Sequence, residues 1–186
     1  MNKIIVIAGP TGSGKTSVAD YLKDQYGVAK VITHTTRPRR ENERQGVDYY
    51  FESDATFDDN HYLEQVQYSH YRYGSSLEGL RRAWDKSKVA SIVLDTAGAI
   101  TYLHELKQQT KILFISVSDE RVLKTRLLKR GDDPAAIAKR MNSPEYRRDM
   151  QLPIELVGNA TKIINDQWQD TKKQIDQFYQ QVTNEI

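Results

Sequence analysis

Behind a short apolar run, Ile4 to Ala8, the chain reads Gly9-Pro10-Thr11-Gly12-Ser13-Gly14-Lys15-Thr16, which fits G-x-x-x-x-G-K-[ST] at every constrained position. The glycines let the backbone curl until successive N–H groups converge on a phosphate, and a helix opening near Lys15 adds its positive end. In such a loop Gly9, Thr11, Gly12, Ser13 and Gly14 surround the phosphates of a nucleoside triphosphate. Lys15 then reaches the β and γ groups, and the Thr16 hydroxyl ligates Mg2+. A nucleoside triphosphate with Mg2+ is therefore the expected occupant. A glycine-rich turn that merely opens a helix is the plainer alternative, and the placement between a strand-like run and a helix-like one weighs against it.

A phosphate loop alone serves GTPases, ATPase motors and small-molecule kinases alike. The Asn-Lys-x-Asp sequence with which GTPases read guanine is absent. Motors usually close a strand with an acidic pair, whereas Ile92-Val93-Leu94-Asp95 offers one acid. A compact kinase remains. Its acceptor side would use Arg37 and Arg40, three apart in one loop, as a fork around a dianionic phosphate, with the phenols Tyr49 and Tyr73 as directional donors. Taken singly, the arginines could equally be a solvated basic loop and the tyrosines packing aromatics.

These residues need a scaffold, and the apolar pattern supplies one. Short β-rich runs recur at Ile4 to Ala8, Val31 to Thr33, Ser91 to Leu94, Ile112 to Val117 and Lys162 to Ile164. Helical periodicity lies between most of them: Val18, Leu22 and Tyr26 end at Gly27. Val122, Leu123, Leu127 and Leu128 follow the N-cap candidates Ser118 and Asp119, and Ile175, Phe178, Tyr179 and Val182 form a final stripe. Alternating strand and helix predicts a parallel sheet covered on both faces. Two stretches break the rhythm. Arg37 to Ser75 is rich in Tyr, carries strand-like pieces such as Leu63 to Tyr68, and reads as an inserted small β unit. Arg130 to Asp149 is polar and reads as a surface flap.

Bulk properties restrict the alternatives. The chain's 186 residues suffice for one core, or a core plus a small inserted subdomain, and 38% hydrophobic with 28% charged residues is ordinary for a soluble globular protein. A formal charge of +2 is too small to argue for a nucleic-acid or membrane partner. Cysteine is absent, which excludes disulfides and thiolate metal sites, and the histidines lack ligand spacing. Ile4 to Ala8 is too short for a signal-peptide core, and no run approaches the roughly 20 apolar residues of a membrane helix. The expected location is cytoplasmic.

In order along the chain, Thr35-Thr36-Arg37-Pro38-Arg39-Arg40, Gly46-Val47-Asp48-Tyr49-Tyr50-Phe51, Glu64, Tyr73-Gly74-Ser75 and Asp95-Thr96-Ala97-Gly98 resemble the guanylate kinase family. That family shows Thr-Thr-Arg-x-x-Arg, Gly-x-Asp-Tyr-x-Phe, an isolated Glu, Tyr-Gly-[ST] and Asp-x-x-Gly in the same sequence. The similarity runs from the phosphate loop to Asn165-Asp166. It implies an α/β, three-layer P-loop fold with a five-stranded parallel sheet, a small inserted β-rich acceptor-binding subdomain and a helical lid. As a single domain over 1–186, the core would span 1–33, 76–129 and 151–186, the GMP-binding insert 34–75, and the lid 130–150. The resemblance makes ATP and Mg2+ the expected cofactors. The implied reaction is ATP-dependent phosphorylation of GMP and dGMP, with small-molecule substrates, no nucleic-acid or membrane partner, and a monomer or homodimer as the working unit.

The resemblance also assigns roles. Arg37, Arg40, Tyr49 and Tyr73 would hold the acceptor phosphate. Glu64 would read guanine, whose adjacent N1–H and N2–H2 donors a carboxylate accepts together, while adenine has an acceptor at N1 and no amino group at C2. Thr33, Ser75 and Asp95 would complete the base pocket, Ser75 donating toward O6. Arg130 and Arg140, on either side of Asp132-Asp133-Pro134, match the two lid arginines and, with Lys15 and Arg37, form the expected catalytic set. Asn165 matches the family residue near the adenine of ATP, although a turn asparagine is an equally simple reading.

The chain departs from the family in three places. Val93 replaces the first acid of its Asp-x-Asp strand ending, leaving Asp95 as the second. Ala97 stands where Gln is usual, and Arg39 and Arg44 add charge to the acceptor loop. Two alternatives stay in view: a kinase for another phosphorylated acceptor such as ribose 1,5-bisphosphate, which has no guanine edge for Glu64 to read, and a guanylate-kinase-like binding module without catalysis, which usually lacks an intact phosphate loop.

Overall fold

The structure, a computed structural model, describes residues 1–39, 41, 43–68 and 71–186. Strand β1 (Lys3–Ala8) leads into helix α1 (Lys15–Tyr26) and strand β2 (Ala29–Lys30). The chain then forms β3 (His34–Thr35), β4 (Tyr50–Phe51), α2 (Asp54–Asp58), β5 (Tyr62–Tyr68) and β6 (Tyr71–Ser76). It continues through α3 (Leu77–Trp84), β7 (Val89–Val93), α4 (Thr96–Leu106), β8 (Thr110–Ser116) and α5 (Arg121–Lys129). Last come α6 (Pro134–Met141), α7 (Pro144–Asp149), β9 (Ala160–Ile164) and α8 (Trp168–Thr183).

Among the described residues the central sheet has five strands in the order β2-β7-β1-β8-β9, and every pairing in it is parallel. A parallel sheet must be covered on both faces, and β1 shows how its sequence meets that demand. Ile4, Val6 and Ala8 pack with Leu80, Ala99 and Tyr102 of α3 and α4, whereas Ile5 and Ile7 pack with Val18 and Leu22 of α1 and Ile175 and Phe178 of α8. Successive side chains alternate sides of a strand, so an unbroken apolar run is what a central strand requires. Each fully buried Ile contributes roughly 1.5–3 kcal/mol. The strands' carboxyl ends lie on one edge of the sheet, and the turns that follow β1, β7 and β9 carry Gly9 to Thr16, Asp95 and Asn165 there.

The expected strand Val31 to Thr33 falls instead between β2 and β3. Val31 N–H still donates to Ser91 O at 2.8 Å, and two residues later Thr33 O accepts from Tyr50 N–H at 2.8 Å. The apolar run is therefore a bridge, leaving one sheet and joining another within a few residues. That second sheet has the order β4-β3-β6-β5, with β3 and β4 parallel and the other pairs antiparallel.

A buried imidazole fastens this sheet to the core. His34 Nδ1 lies 2.8 Å from Glu52 Oε1 and Nε2 lies 2.8 Å from Ser76 Oγ. The Ser-His-Glu geometry is structural: Ser76 is fully buried, and its oxygen caps α3 by accepting from Gly79 N–H. Gly74 has a packing reason as well, since a Cβ there would lie 2.5 Å from the Tyr62 ring, itself stacked on Phe57.

Residues 130–149 form two short helices. Asp133 and Ser143 accept from Ala136 N–H and Tyr146 N–H respectively, and Pro134 and Pro144 occupy the first turns, where a missing N–H costs nothing. The caps expected at Ser118 and Asp119 shift slightly: α5 begins at Arg121, and Asp119 Oδ1 accepts from its N–H at 2.9 Å.

Candidate active site

The phosphate loop is held open from behind. Gly9, Gly12 and Gly14 have φ of +130°, +81° and +100°, the left-handed region that side chains rarely enter. A Cβ at Gly9 would stand 2.1 Å from Ile115 O, and one at Gly14 2.3 Å from Asn165 Nδ2. Lys15 Nζ donates to Gly9 O at 2.7 Å and to Pro10 O at 2.8 Å. Thr11 is half-buried, Thr16 is exposed on the first turn of α1, and Ser13 Oγ is buried without a hydrogen-bond partner. A cradle with no room for a Cβ and an orphaned hydroxyl within it fit a polyphosphate.

The side chains around Lys15 come from distant segments. Burial holds its ammonium down to about pKa 8; the charge of Asp149 opposes this most, Arg140 adds to it, Asp95 opposes it and Arg130 adds to it. Arg130, Arg140 and two carboxylates thus lie within electrostatic reach of the loop lysine. Arg130 pairs with Asp132 through Nε at 2.8 Å and through a second bond from Nη2, and Arg140 acts on the same carboxylate. Asp149 is buried and accepts from Thr96 N–H at 3.1 Å and from the Thr96 hydroxyl at 2.6 Å.

On the acceptor side Arg37, Tyr49 and Tyr73 form one cluster. The Arg37 guanidinium carbon lies 5.6 Å from the Tyr49 ring centroid, and the Tyr49 and Tyr73 rings are 6.2 Å apart. Arg37 Nη2 donates to Glu43 Oε1 at 2.7 Å, and the Glu43 bond, its largest influence, holds the guanidinium in its charged form. Arg40 lies outside the described residues. Thr33 enters through its carbonyl, which binds Tyr50 N–H.

The base-pocket candidates converge from three elements. Glu64 on β5 pairs in register with Ser75 on β6, and Asp95 caps α4 by accepting from Gly98 N–H at 2.7 Å. Burial pushes the Glu64 carboxyl up to about 7, the charge of Asp95 pushes the same way, and Ser75 pulls it back. Tyr102 shares this corner: burial pushes its phenol up, Ser75 pulls it back and Glu64 adds to the rise. Ser75 thus lies close to both the Glu64 carboxyl and the Tyr102 phenol, and the three polar side chains form one group set between the second sheet and α4.

Both side-chain groups of Asn165 are engaged within the protein. Its Nδ2 donates to Ser13 O at 2.8 Å, its Oδ1 accepts from the Thr171 hydroxyl at 2.9 Å, and its main-chain oxygen accepts from Arg126 Nη2 at 2.7 Å. The side chain braces the phosphate loop. It also borders a cavity of about 680 Å³, lined by Gly14, Tyr21, Arg126 and Trp168 among others, whose size and planar groups suit an adenosine.

Arg148, Asp149, Tyr102 and Glu43 belong to no motif, and Thr96 fills an unconstrained position of Asp-x-x-Gly. A signal for Asp149 does exist: Tyr146 and Asp149 lie on the inward face of α7, with Met150 packed inward just beyond its end. A carboxylate on an apolar stripe is a buried charge with a partner to find. Val93, in the place of the family's first acid, packs against the apolar cluster of α1 and α8. Among the described residues no group of three or more His, Cys, Asp or Glu side chains could hold a metal. The exposed Thr16 hydroxyl at the loop suits an ion that keeps its waters and arrives on substrate phosphates, as Mg2+ does.

Comparison with known proteins agrees with this geometry. The family model described as guanylate kinase matches residues 1–182. A guanylate kinase of Sulfurimonas denitrificans is 34% identical over 176 residues, covering 91% of this chain and 83% of that one. One of Chlamydia muridarum is 34% identical over 137 residues, covering 70% and 66%. The crystal structure of guanylate kinase from Anaplasma phagocytophilum shares the fold, with a TM-score of 0.63 at 22% identity over 99% of this chain and 86% of that one. A phosphate loop at the carboxyl edge of a five-stranded parallel sheet, with a family model and relatives matched along nearly the whole sequence, places this chain in the guanylate kinase family.

Proposed function

We propose that this protein transfers the γ-phosphoryl group of ATP to GMP, and to dGMP, giving ADP and the corresponding diphosphate. The observation that carries the acceptor is the corner of Glu64, Ser75, Tyr102 and Asp95, where a carboxyl whose pKa burial pushes up lies beside two buried hydroxyls. A sugar phosphate has hydroxyls but no planar edge of two adjacent N–H donors to match a carboxylate. Guanine supplies two adjacent donors for Glu64 and a carbonyl for a hydroxyl.

The loop amides and Lys15 hold the donor phosphates, and the cavity beside Arg126 and Trp168 takes the adenosine end. Arg37, Tyr49 and Tyr73, with Arg40, hold the acceptor phosphate. Its oxygen is already anionic, so the transfer needs positioning and charge rather than a strong base. Arg130 and Arg140 act beside Lys15, where they neutralise the equatorial oxygens of the moving group and keep water out. Thr16 would hold Mg2+, which would supply positive charge to offset that of the phosphates. Arg130 must exchange Asp132, and Arg37 must exchange or share Glu43, as phosphate arrives. The work is on small molecules in the cytoplasm; among the described residues no helix is long and apolar enough to cross a membrane.

An ADP-release assay with ATP and Mg2+ against GMP, dGMP, AMP, UMP and ribose 1,5-bisphosphate tests the reading. GMP is expected to give the highest kcat/KM, and turnover of the sugar phosphate alone would overturn it.

A further inference from the structure

Asp95 is held at both of its oxygens. Oδ1 accepts from Gly98 N–H at 2.7 Å within its own helix, while Oδ2 accepts from Arg148 Nη2 at 2.7 Å, a residue 53 positions later in the chain and adjacent to the end of α7. The same guanidinium donates through Nε to Thr96 Oγ1 and to Asp149 Oδ1, each at 3.1 Å. Thr96 returns its N–H and its hydroxyl to Asp149 Oδ1. One lid residue thus clasps the first residues of α4 and the carboxylate that caps them.

Such a clasp does little as fold glue. The Arg148 and Asp95 side chains are 37% and 34% exposed, and ion pairs that wet typically contribute about 0–1 kcal/mol. Its effect on recognition is larger. Guanine presents three hydrogens on N1 and N2; a single carboxylate takes two, and the remaining 2-amino hydrogen needs a second acceptor. Asp95 is the carboxylate beside Glu64, and two anions facing one ligand edge repel each other. A guanidinium behind Asp95 offsets that repulsion, and a carboxylate oxygen has a lone pair left to accept again.

Resting on the acceptor reading above, we infer that Arg148 is a positioning residue for guanine: it orients Asp95 toward the 2-amino group and ties that orientation to the seating of α7. Lysine cannot replace it fully, because a point charge does not reach Asp95, Thr96 and Asp149 in one planar fork.

The test compares wild type, Arg148→Ala and Arg148→Lys for KM toward GMP, IMP and ATP, with Tm measured alongside. IMP lacks the 2-amino group and so lacks the Asp95 contact. Arg148→Ala is expected to raise KM for GMP about tenfold, the effect of losing one charge-assisted hydrogen bond, while KM for IMP and ATP changes less than about twofold. Arg148→Lys is expected to recover about half of that loss on a logarithmic scale. Tm should move by no more than about 3 °C, as for a surface pair. An unchanged KM for GMP, a fall in it, or an equal rise for GMP and IMP overturns the inference and leaves the kinase reading intact. A wild-type protein that ignores GMP overturns both.

Discussion

Raising the pH from 6 to 8 is expected to strengthen GMP binding about tenfold through Glu64 alone. Burial and the neighbouring Asp95 charge lift this carboxyl from its ordinary 4.5 to about 7, and guanine's donors need the ionised form. With that value the ionised fraction is about 0.1 at pH 6 and about 0.9 at pH 8, and apparent affinity scales with the competent fraction. KM for GMP should therefore fall about tenfold across the interval, following a single titration centred near 7. Adenine responds in the opposite sense, because a protonated carboxyl can donate to its N1, so the GMP-to-AMP preference should narrow at pH 6. Steady-state ADP release at saturating ATP measures both. The acceptor phosphate itself titrates near pH ~6, so Glu64→Gln serves as the reference, with its own weaker KM and only the phosphate's pH dependence. Equal pH profiles for wild type and Glu64→Gln would refute the assignment of Glu64 to the base. The same shift has a stability consequence. A carboxyl whose folded value is raised holds its proton more tightly folded than unfolded, so unliganded stability falls as pH rises from 4.5 through 7, by roughly 3 kcal/mol in all.

KM for ATP should move the other way: with the Lys15 ammonium held down to about 8, raising the pH from 7 to 9 removes charge from the loop and weakens donor binding several-fold, which initial rates at fixed GMP would detect. Lys15→Ala should lower kcat/KM by about 10²-fold or more, since it removes charge where transition-state charge develops; near-native activity in the purified variant would contradict the proposed mechanism. Gly14→Ala forces a side chain into a backbone at φ +100° and within 2.3 Å of Asn165 Nδ2, so it should lower Tm by the equivalent of about 1–3 kcal/mol and raise KM for ATP more than KM for GMP. Val93→Asp should lower stability by about 1–3 kcal/mol, read by denaturant midpoint, because the acid would displace an apolar contact with the α1 and α8 cluster.

Contiguous features could be read from residue order. The phosphate loop is local: its glycine spacing and the flanking strand and helix set its shape whatever the rest of the chain does, and the structure keeps Gly9, Gly12 and Gly14 left-handed as that shape demands. The strands of the central sheet announced themselves because a parallel sheet buries both faces and so needs unbroken apolar runs. The exception, Val31 to Thr33, is apolar for a different reason, since it spans the gap between two sheets, and composition does not distinguish a bridge from a strand. The candidate base contacts Glu64, Ser75 and Asp95 could be named only through resemblance to a family, because they sit on three elements and no spacing rule links them.

Tertiary structure decided which charges pair. Arg148 with Asp95, Asp149 with Thr96 and Arg37 with Glu43 are contacts between short polar segments whose sequences permit many partners. Coulomb attraction carries no sequence period, unlike apolar burial, so only the docking of α7 on the start of α4 and the folding of the acceptor loop select one pairing from the rest. Residue order determined the phosphate cradle and the sheet behind it, while the packing of α7 and of the second sheet determined which polar side chains come together.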